Sequence, residues 1–247
     1  MVLASKISYE EIENAMKTNH VSGFIQIGSD PEAMKFSKEF CSKNHSFECY
    51  YSVGFHPSDA GKVDPGIGVT FAHENNHDPA FRAIGEVGLD YHYGKNTKEK
   101  QLEIFENFVR CAISLEKPLI VHTRDAHDDT FSILQRASEK IKILIHCFTG
   151  GPKEIKDYLD IGCYISFSGI VTFNKAEEIK QAAQVCPLNK LLVESDAPYL
   201  SPVPFRGKTN HPGLISHTAK HIASLKDVDY ELFCSQVAEN TRSFFNI

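Results

Sequence analysis

Four apolar runs in this sequence of 247 residues end at an acidic residue or a histidine. Ala-Ile-Gly-Glu ends at Glu86, Leu-Ile-Val-His at His122, Ile-Leu-Ile-His at His146, and Leu-Leu-Val-Glu-Ser-Asp at Asp196. A single polar residue at such a place is more often a loop cap than a ligand, but four equivalent ones predict a shared site at the carboxyl ends of strands. Two imidazoles and two carboxylates suit a divalent ion such as Mg²⁺, Mn²⁺ or Zn²⁺.

Residues two positions away extend this predicted site, because alternate side chains of an extended strand face the same side. Glu194 lies two residues before Asp196, so one carboxylate can bind the ion or accept a proton while the other orients its neighbour. Arg124 lies two residues after His122, where a guanidinium can meet a phosphate oxygen. Cys147, directly after the histidine of the third run, is expected to face the opposite way and to pack in the core.

Two loops could add groups that bind an anion. His56 follows a strand-like run in Gly54-Phe55-His56-Pro57, and Arg206 and Lys208 follow the last apolar run. Each is as compatible with a solvated loop as with substrate binding.

The elements that must position these residues are short apolar runs alternating with longer helical patterns, without linkers or repeats. The runs are apolar on both faces, as parallel strands covered by helices should be, so the pattern predicts an α/β fold with a parallel sheet. The predicted strands are Val21–Gly28, Cys49–Gly54, Ala83–Leu89, Pro118–His122, Ile141–Cys147, Cys163–Phe167 and Lys190–Glu194.

Helix boundaries are marked between these runs. Asp30-Pro31-Glu32 provides an N-cap, a first-turn proline and a first-turn acid. Pro152 is expected to open another helix, and Gly162 to close it.

The number of strands is seven, one fewer than a closed (β/α)8 barrel needs. The stretch Met1–Ser8 is too short and too polar to be a convincing further strand. The sheet is therefore open, or its first strand is degenerate or lost.

Composition excludes several classes of protein. With 42% hydrophobic and 23% charged residues the chain is globular, and its net charge of −6 provides no general field for nucleic acid, so an anionic substrate must be held locally. No apolar run approaches the ~18 residues of a membrane span. Seven cysteines without a C-x-x-C pair predict a reduced protein, cytoplasmic or, in a eukaryote, nuclear.

Six short motifs follow one another between about Val21 and the carboxyl terminus, and together they resemble the signatures of the TatD family of metal-dependent deoxyribonucleases. They are Gly54-Phe55-His56-Pro57, Ile84-Gly85-Glu86-Val87-Gly88-Leu89-Asp90-Tyr91, Pro118-Leu119-Ile120-Val121-His122-Thr123-Arg124-Asp125-Ala126, His146-Cys147-Phe148-Thr149-Gly150, Glu194-Ser195-Asp196-Ala197-Pro198-Tyr199-Leu200 and Pro204-Phe205-Arg206-Gly207-Lys208-Thr209-Asn210.

The resemblance implies a TIM (β/α)8-type barrel of the metal-dependent hydrolase kind, formed by residues 1–247 as a single domain. It implies hydrolysis of DNA phosphodiester bonds, expected to be exonucleolytic, by a monomer that needs no protein partner and no membrane. By motif, Glu86, His122, His146 and Asp196 are the implied metal ligands, with Asp196 and Glu194 catalytic. The expected substrate-binding residues are His56, Arg124 and Arg206.

The sequence departs from the family pattern at its start. The family opens with a strand ending in His-x-His that helps to hold one of two metals, whereas here no histidine precedes His20. Glu86, His122 and His146 suffice for one firmly bound ion with water completing its shell. A second ion, left with carboxylates alone, is expected to bind weakly.

Two other functions are compatible with the sequence. The same type of barrel could hydrolyse an amide or ester, such as a misacylated tRNA, since fold does not fix function. Loss of His-x-His could also leave a catalytically impaired binding protein, although the four other ligand positions are retained.

Overall fold

A computed structural model describes residues 7–247, except for the side chain of Lys95. Its helices are α1 (Tyr9–Thr18), α2 (Pro31–Cys41), α3 (Pro65–Glu74), α4 (Lys98–Leu115), α5 (His127–Ala137), α6 (Pro152–Asp160), α7 (Glu177–Val185), α8 (Ile215–Leu225) and α9 (Tyr230–Phe245). Its strands are β1 (Gly23–Gly28), β2 (Glu48–Val53), β3 (Phe81–Asp90), β4 (Leu119–Arg124), β5 (Ile143–Ile145), β6 (Tyr164–Phe167) and β7 (Leu191–Val193). Within this part of the chain, no helix has both the length and the apolar character needed to cross a membrane.

The seven strands form one parallel sheet in the order of the sequence, β1 to β7. Every predicted strand is present, with its ends shifted by no more than two residues. In residues 7–247, β1 pairs only with β2 and β7 only with β6, so the curled sheet is an open form of the TIM-type barrel. The prediction of a TIM-type α/β fold with a parallel sheet is therefore confirmed. Met1–Lys6, most of the stretch rejected as a further strand, lies outside the described residues.

Helix ends follow the predicted capping residues. The Asp30 carboxylate accepts hydrogen bonds from the backbone N–H groups of Glu32 and Ala33, both at 2.8 Å, and α2 begins at the following proline. Helix α6 begins at Pro152, and Gly162, just beyond its end, has the positive φ of +84° that favours glycine. These local signals set the lengths of the crossovers between parallel strands.

The core has two layers, because alternate residues of each strand face opposite sides of the sheet. In β4, Leu119 and Val121 lie in the large layer between the sheet and the helices. Ile120 lies in a second cluster inside the curl of the sheet, which the end of α9 helps to fill. That inner cluster comprises Ala83, Ile120, Leu144, Leu192, Phe244 and Phe245.

The gap between β1 and β7, here called the open seam, contains a largely apolar cavity of about 400 Å³. Ile25 and Ile27 of β1 line it on one side, and Leu192 and Val193 of β7 on the other. Residues of α1, α8 and α9 complete its wall. The cavity extends to Glu86, so the open seam adjoins the predicted site.

Candidate metal centre

Glu86 lies inside β3 rather than at the end of a strand, because β3 continues to Asp90. The pairing register of β3 with β4 shifts between Ile84 and Val87. Gly85 permits this irregular course: its φ is +127°, and a Cβ at this position would collide with the backbone of β4. The expectation that Glu86 lies at the end of a strand is therefore wrong. Glu86 lies within β3, at the point where its pairing with β4 is irregular.

Carboxylates and imidazoles alternate along five side chains, which we call the carboxylate–imidazole chain. Asp90 Oδ2 lies 3.2 Å from His122 Nε2, and His122 Nδ1 lies 3.0 Å from Glu86 Oε1. The same Glu86 oxygen is 3.2 Å from His146 Nε2, and His146 Nδ1 is 2.9 Å from Glu194 Oε1. Each imidazole thus lies between two carboxylates, and Glu86 is the centre of the arrangement.

His56 also faces Glu86, although it lies outside the regular strands. Its Nε2 is 3.5 Å from Glu86 Oε1, and its ring meets the His122 ring edge to face with centroids 4.6 Å apart. The backbone N–H of Ser58 donates to His56 Nδ1 at 3.2 Å, so the proton of the neutral ring lies on Nε2. His56 therefore presents a hydrogen-bond donor to the site.

Asp196 reaches the same cluster by a different route from the one expected. Strand β7 ends at Val193 and Asp196 has a φ of +54°, so the backbone does not stay extended between Glu194 and Asp196. The pKa of Asp196 is nevertheless raised to about 7, first by burial and then by the negative charges of Glu194 and Glu86, against the opposing charge of His146. The three carboxylates therefore lie close enough to repel one another.

Residues after β5 and in β6 complete this end of the site. The Ser166 hydroxyl donates to Glu194 and accepts from the backbone N–H of Cys147 at 3.2 Å. Cys147 has a φ of +44°, its Sγ lies 3.1 Å from Ser168 Oγ, and it lies among the donor atoms of His146 and Glu194. The prediction that Cys147 packs away from the site is wrong, because β5 ends before it and the alternation of faces ends with the strand.

The cluster shifts the pKa values of its members in opposite directions. Burial alone would raise the pKa of Glu86, but the charge of His146 and hydrogen bonds from His122 and His146 hold it well below its usual value. Burial opposes charge on His146 and His122, yet their carboxylate neighbours raise the pKa of His122 and raise that of His146 well above normal. The pKa of His56 is lowered, chiefly by burial.

The donor set fits a divalent cation. The Glu86 carboxylate lies 3.0 Å from His122 and 3.2 Å from His146, and a cation bound by these groups would also relieve the repulsion that raises the pKa of Asp196. Two groups of side chains have donor atoms close enough to share an ion, His56–Glu86–His122 and His146–Cys147–Glu194. Asp90 contacts the ring nitrogen of His122 that does not face Glu86, and Glu194 contacts the corresponding nitrogen of His146. A carboxylate on the second ring nitrogen is typical of metal-binding histidines.

The two predicted arginines lie in different settings. Arg124 ends β4 and stacks on the Tyr93 ring at 4.8 Å. Burial would raise the pKa of Asp90, but hydrogen bonds from His122 and the Tyr93 backbone, the charge of His122 and, least, that of Arg124 hold it at about 2. Arg206 is exposed on the loop after β7, with its guanidinium 4.0 Å from the centre of the Phe173 ring. Arg124 thus lies beside Asp90 of the carboxylate–imidazole chain, whereas the contact recorded for Arg206 is with Phe173.

Sequence reasoning did not single out Asp90, which the structure adds to the carboxylate–imidazole chain. Its side chain is buried against His122, and its backbone N–H donates to Gln101 Oε1 at 2.7 Å while Gln101 Nε2 donates back to its carbonyl oxygen at 3.0 Å. A signal was present, since Asp90 lies four residues after Glu86 in the same strand, an even spacing that favours one face.

Comparison with known protein sequences connects this geometry to one family. The model of the TatD-related DNase family matches residues 4–246. A metal-dependent hydrolase of Buchnera aphidicola, described as uncharacterized, is 37% identical over 96% of this chain and 93% of its own length. The 3'-5' ssDNA/RNA exonuclease TatD of Klebsiella pneumoniae is 29% identical over 97% of this chain and 92% of its own length.

Solved structures share the fold. The crystal structure of YjjV, a TatD homologue from Escherichia coli, superimposes with a TM-score of 0.89 at 21% identity, covering 96% of this chain and 92% of YjjV. A TatD-family hydrolase from Entamoeba histolytica gives a TM-score of 0.84 at 19% identity, with 95% and 88% of the two chains covered. At this level of identity, the likeness establishes the fold alone.

Proposed function

The chain belongs to the TatD-related DNase family, a family of metal-dependent hydrolases, and on that basis we propose that it hydrolyses phosphodiester bonds of DNA as an exonuclease. The observation that carries the proposal is the carboxylate–imidazole chain centred on Glu86. The exonuclease activity named for the Klebsiella relative supports the choice of a nucleic acid substrate.

In this proposal Glu86, His122, His146 and Asp196 hold the divalent ion, which is Mg²⁺, Mn²⁺ or Zn²⁺. When bound, such an ion activates water and stabilises the charge that develops on a phosphoryl group. We assign to Asp90 and Glu194 the positioning of the two imidazoles, because Asp90 contacts His122 and Glu194 contacts His146 at the ring nitrogen that does not face Glu86.

Asp196 and Glu194, the two carboxylates expected from the sequence to be catalytic, have separate tasks in this proposal. Glu194 already contacts His146 and accepts a hydrogen bond from Ser166, so it orients the imidazole. Within residues 7–247 no hydrogen bond occupies the carboxylate of Asp196, so we assign to it the acceptance of the proton from the attacking water.

Substrate phosphate is held locally, since the net charge of −6 offers no general attraction. His56 directs its Nε2 toward Glu86 and can donate to an anionic oxygen there. Arg124 lies next to Asp90 at the end of β4, and Arg206 lies farther out, on the exposed loop after β7. We propose that the first two bind the reacting phosphate and that Arg206 binds a neighbouring one.

The test is a metal-dependence assay with several substrates. Protein stripped by a chelator is supplied with Mg²⁺, Mn²⁺ or Zn²⁺ and given end-labelled single-stranded DNA, duplex DNA, RNA and an aminoacyl ester. We expect stepwise release of nucleotides from DNA that depends on the metal and is lost in His146→Ala. The matched control is His77→Ala, which removes an exposed histidine outside the site and should retain full activity.

Hydrolysis of the ester without cleavage of DNA would replace the nuclease assignment with that of an esterase or deacylase. Full nuclease activity in the chelator, or in His146→Ala, would contradict the proposed site. We also propose that residues 1–247 act as a single-domain monomer, which light scattering coupled to gel filtration tests directly.

A further inference from the structure

Two cysteines outside the candidate metal centre, Cys41 and Cys49, lie side by side in the fold. Cys41 is the last residue of α2 and Cys49 the second residue of β2, and their Sγ atoms are 2.7 Å apart. Both side chains are partly exposed, and both thiols are free. A disulfide needs an S–S distance of about 2.05 Å, so a small adjustment of the side chains suffices to join them.

We propose that Cys41 and Cys49 form a peroxide-sensitive dithiol that closes to a disulfide and fastens α2 to β2. In the first step one thiolate of the pair attacks a hydroperoxide, forming a sulfenic acid and releasing hydroxide or, from an organic peroxide, an alkoxide that takes up a proton from water to become an alcohol. In the second step the thiol of the other cysteine attacks the sulfenic sulfur, which forms the S–S bond and releases water. Both thiols are oxidised, and the peroxide O–O bond is reduced.

The surroundings favour a dithiol rather than a metal site. In the described part of the chain, the groups of three or more metal-binding side chains are those around Glu86 and His146, and neither contains Cys41 or Cys49. Two thiols without a third protein ligand do not make a typical site for Zn²⁺, which uses three or four.

Three other cysteines are poor competitors for a peroxide. Cys111, Cys163 and Cys186 are buried, and burial raises their thiol pKa values to about 11, 12 and 12. The pKa of Cys41 is raised as well, first by its hydrogen bond with Cys49 and then by burial, but Cys41 and Cys49 are partly exposed and adjacent, so a sulfenic acid formed on either meets the thiol of the other.

The link would secure the edge of the sheet. Helix α2 packs on both β1 and β2, and among the described strands β1 has a partner on one side only. A bond from the end of α2 to β2 holds this helix in place over the edge strand. His56 follows the opposite end of β2, so the candidate metal centre should be unaffected.

The experiment exposes the fully reduced, folded protein to hydrogen peroxide, quenches with catalase, and counts thiols in denaturant. We expect two thiols fewer than the seven of the reduced chain, recovery with a reductant, and a peptide map showing the Cys41–Cys49 link. Hydrogen exchange of the backbone amides in residues 42–48 should slow on oxidation by about ten-fold or more, because a closed loop opens less readily.

Variants separate the pair from the other cysteines. Cys41→Ser and Cys49→Ser should each abolish the loss of two thiols, whereas Cys234→Ser, a matched change of a partly buried cysteine in α9, should keep it. Retention of all seven thiols in the wild type, or a link between other cysteines, would overturn the proposal whatever the variants do. Nuclease activity is not the readout, so this test fails or succeeds independently of the proposed function.

Discussion

Two regions of the same sheet differ in how they are supported. On the closed side, formed by β3, β4, β5 and β6, every strand is hydrogen-bonded to a neighbour on both sides, and core residues such as Ile165 are fully buried. Along the open seam, β1 and β7 each have one strand partner in the described structure, and Ile27 is only half-buried beside a cavity. The sheet therefore has one region with strands paired on both sides and a closely packed core, and another region that borders a cavity.

The candidate metal centre is divided unequally between these regions. Glu86, His122 and His146 come from or directly follow strands of the closed side. Asp196 follows β7, which borders the open seam. Three donors are thus held by paired strands and one by a loop at an edge, and this difference predicts unequal effects of mutation in the two regions.

The largest expected effect is that of Glu86→Gln. Mutation of a residue that only supports a metal ligand typically lowers metal affinity or activity by about 10–100-fold. Loss of the central ligand itself should therefore lower metal affinity and activity by more than about 100-fold each. Asp196→Asn should lower the rate but leave one metal ion per chain. Elemental analysis and single-turnover rates distinguish the two variants, with the exposed Glu74→Gln as control. Equal metal loss in both variants would remove the distinction between the regions.

A pair of isoleucine truncations compares packing in the two regions. Ile165→Ala on the closed side should lower the free energy of unfolding by about 2–5 kcal/mol, because it leaves a cavity in close-packed surroundings. Ile27→Ala at the open seam should cost about half as much or less, since its side chain already borders empty volume. Urea unfolding followed by circular dichroism measures both, and equal losses would show that the open seam is packed as tightly as the core.

Metal titration tests the expectation from the sequence that one ion binds firmly and a second ion binds weakly. We expect one tightly bound ion per chain and a second whose affinity is weaker by about ten-fold or more, because carboxylates without imidazoles hold transition metals less well. Calorimetry with Mn²⁺ on chelator-treated protein provides the two affinities. Two equally tight ions would mean that a residue outside the assigned set is a ligand.

The two arginines extend the same comparison to substrate. Arg124→Ala, at the end of a closed-side strand, should raise KM for DNA by about ten-fold and reduce the salt slope of binding by about one unit. Arg206→Ala, on the loop beyond β7, should have a smaller effect on both. Metal content should stay unchanged in each variant, and a larger effect from Arg206 would reverse their assigned roles.

The smallest effect is a gain from filling the open seam. Ile25→Phe adds volume toward the cavity and should raise stability by about 0.5–1 kcal/mol. The same change at Ile165 should instead cost about 1–3 kcal/mol, because that position has no room. Opposite signs in thermal unfolding would confirm the difference in packing, and a loss at both positions would refute it.

Much of the fold could be predicted from the sequence because its signals are local. Aliphatic runs such as Leu119–Val121 marked each strand, and Asp30 and Pro152 marked helix starts through capping and fixed φ. The proximity of His122 and His146, whose ring centroids are 6.2 Å apart, could also be predicted, because parallel strands bring their carboxyl ends to one edge.

The remaining features depend on how strands meet in three dimensions. Glu86 lies within β3 where the register with β4 shifts, not at a strand end. After β5 the chain turns and Cys147 lies near Glu194, although simple alternation of strand faces predicts that it points away. The contact of Asp90 with His122 joins two strands whose register the sequence does not specify. Alternation and capping act within a few residues, whereas register, cavities and contacts between carboxylates and imidazoles of different strands arise only when distant segments pack together. The tertiary structure alone therefore decided them.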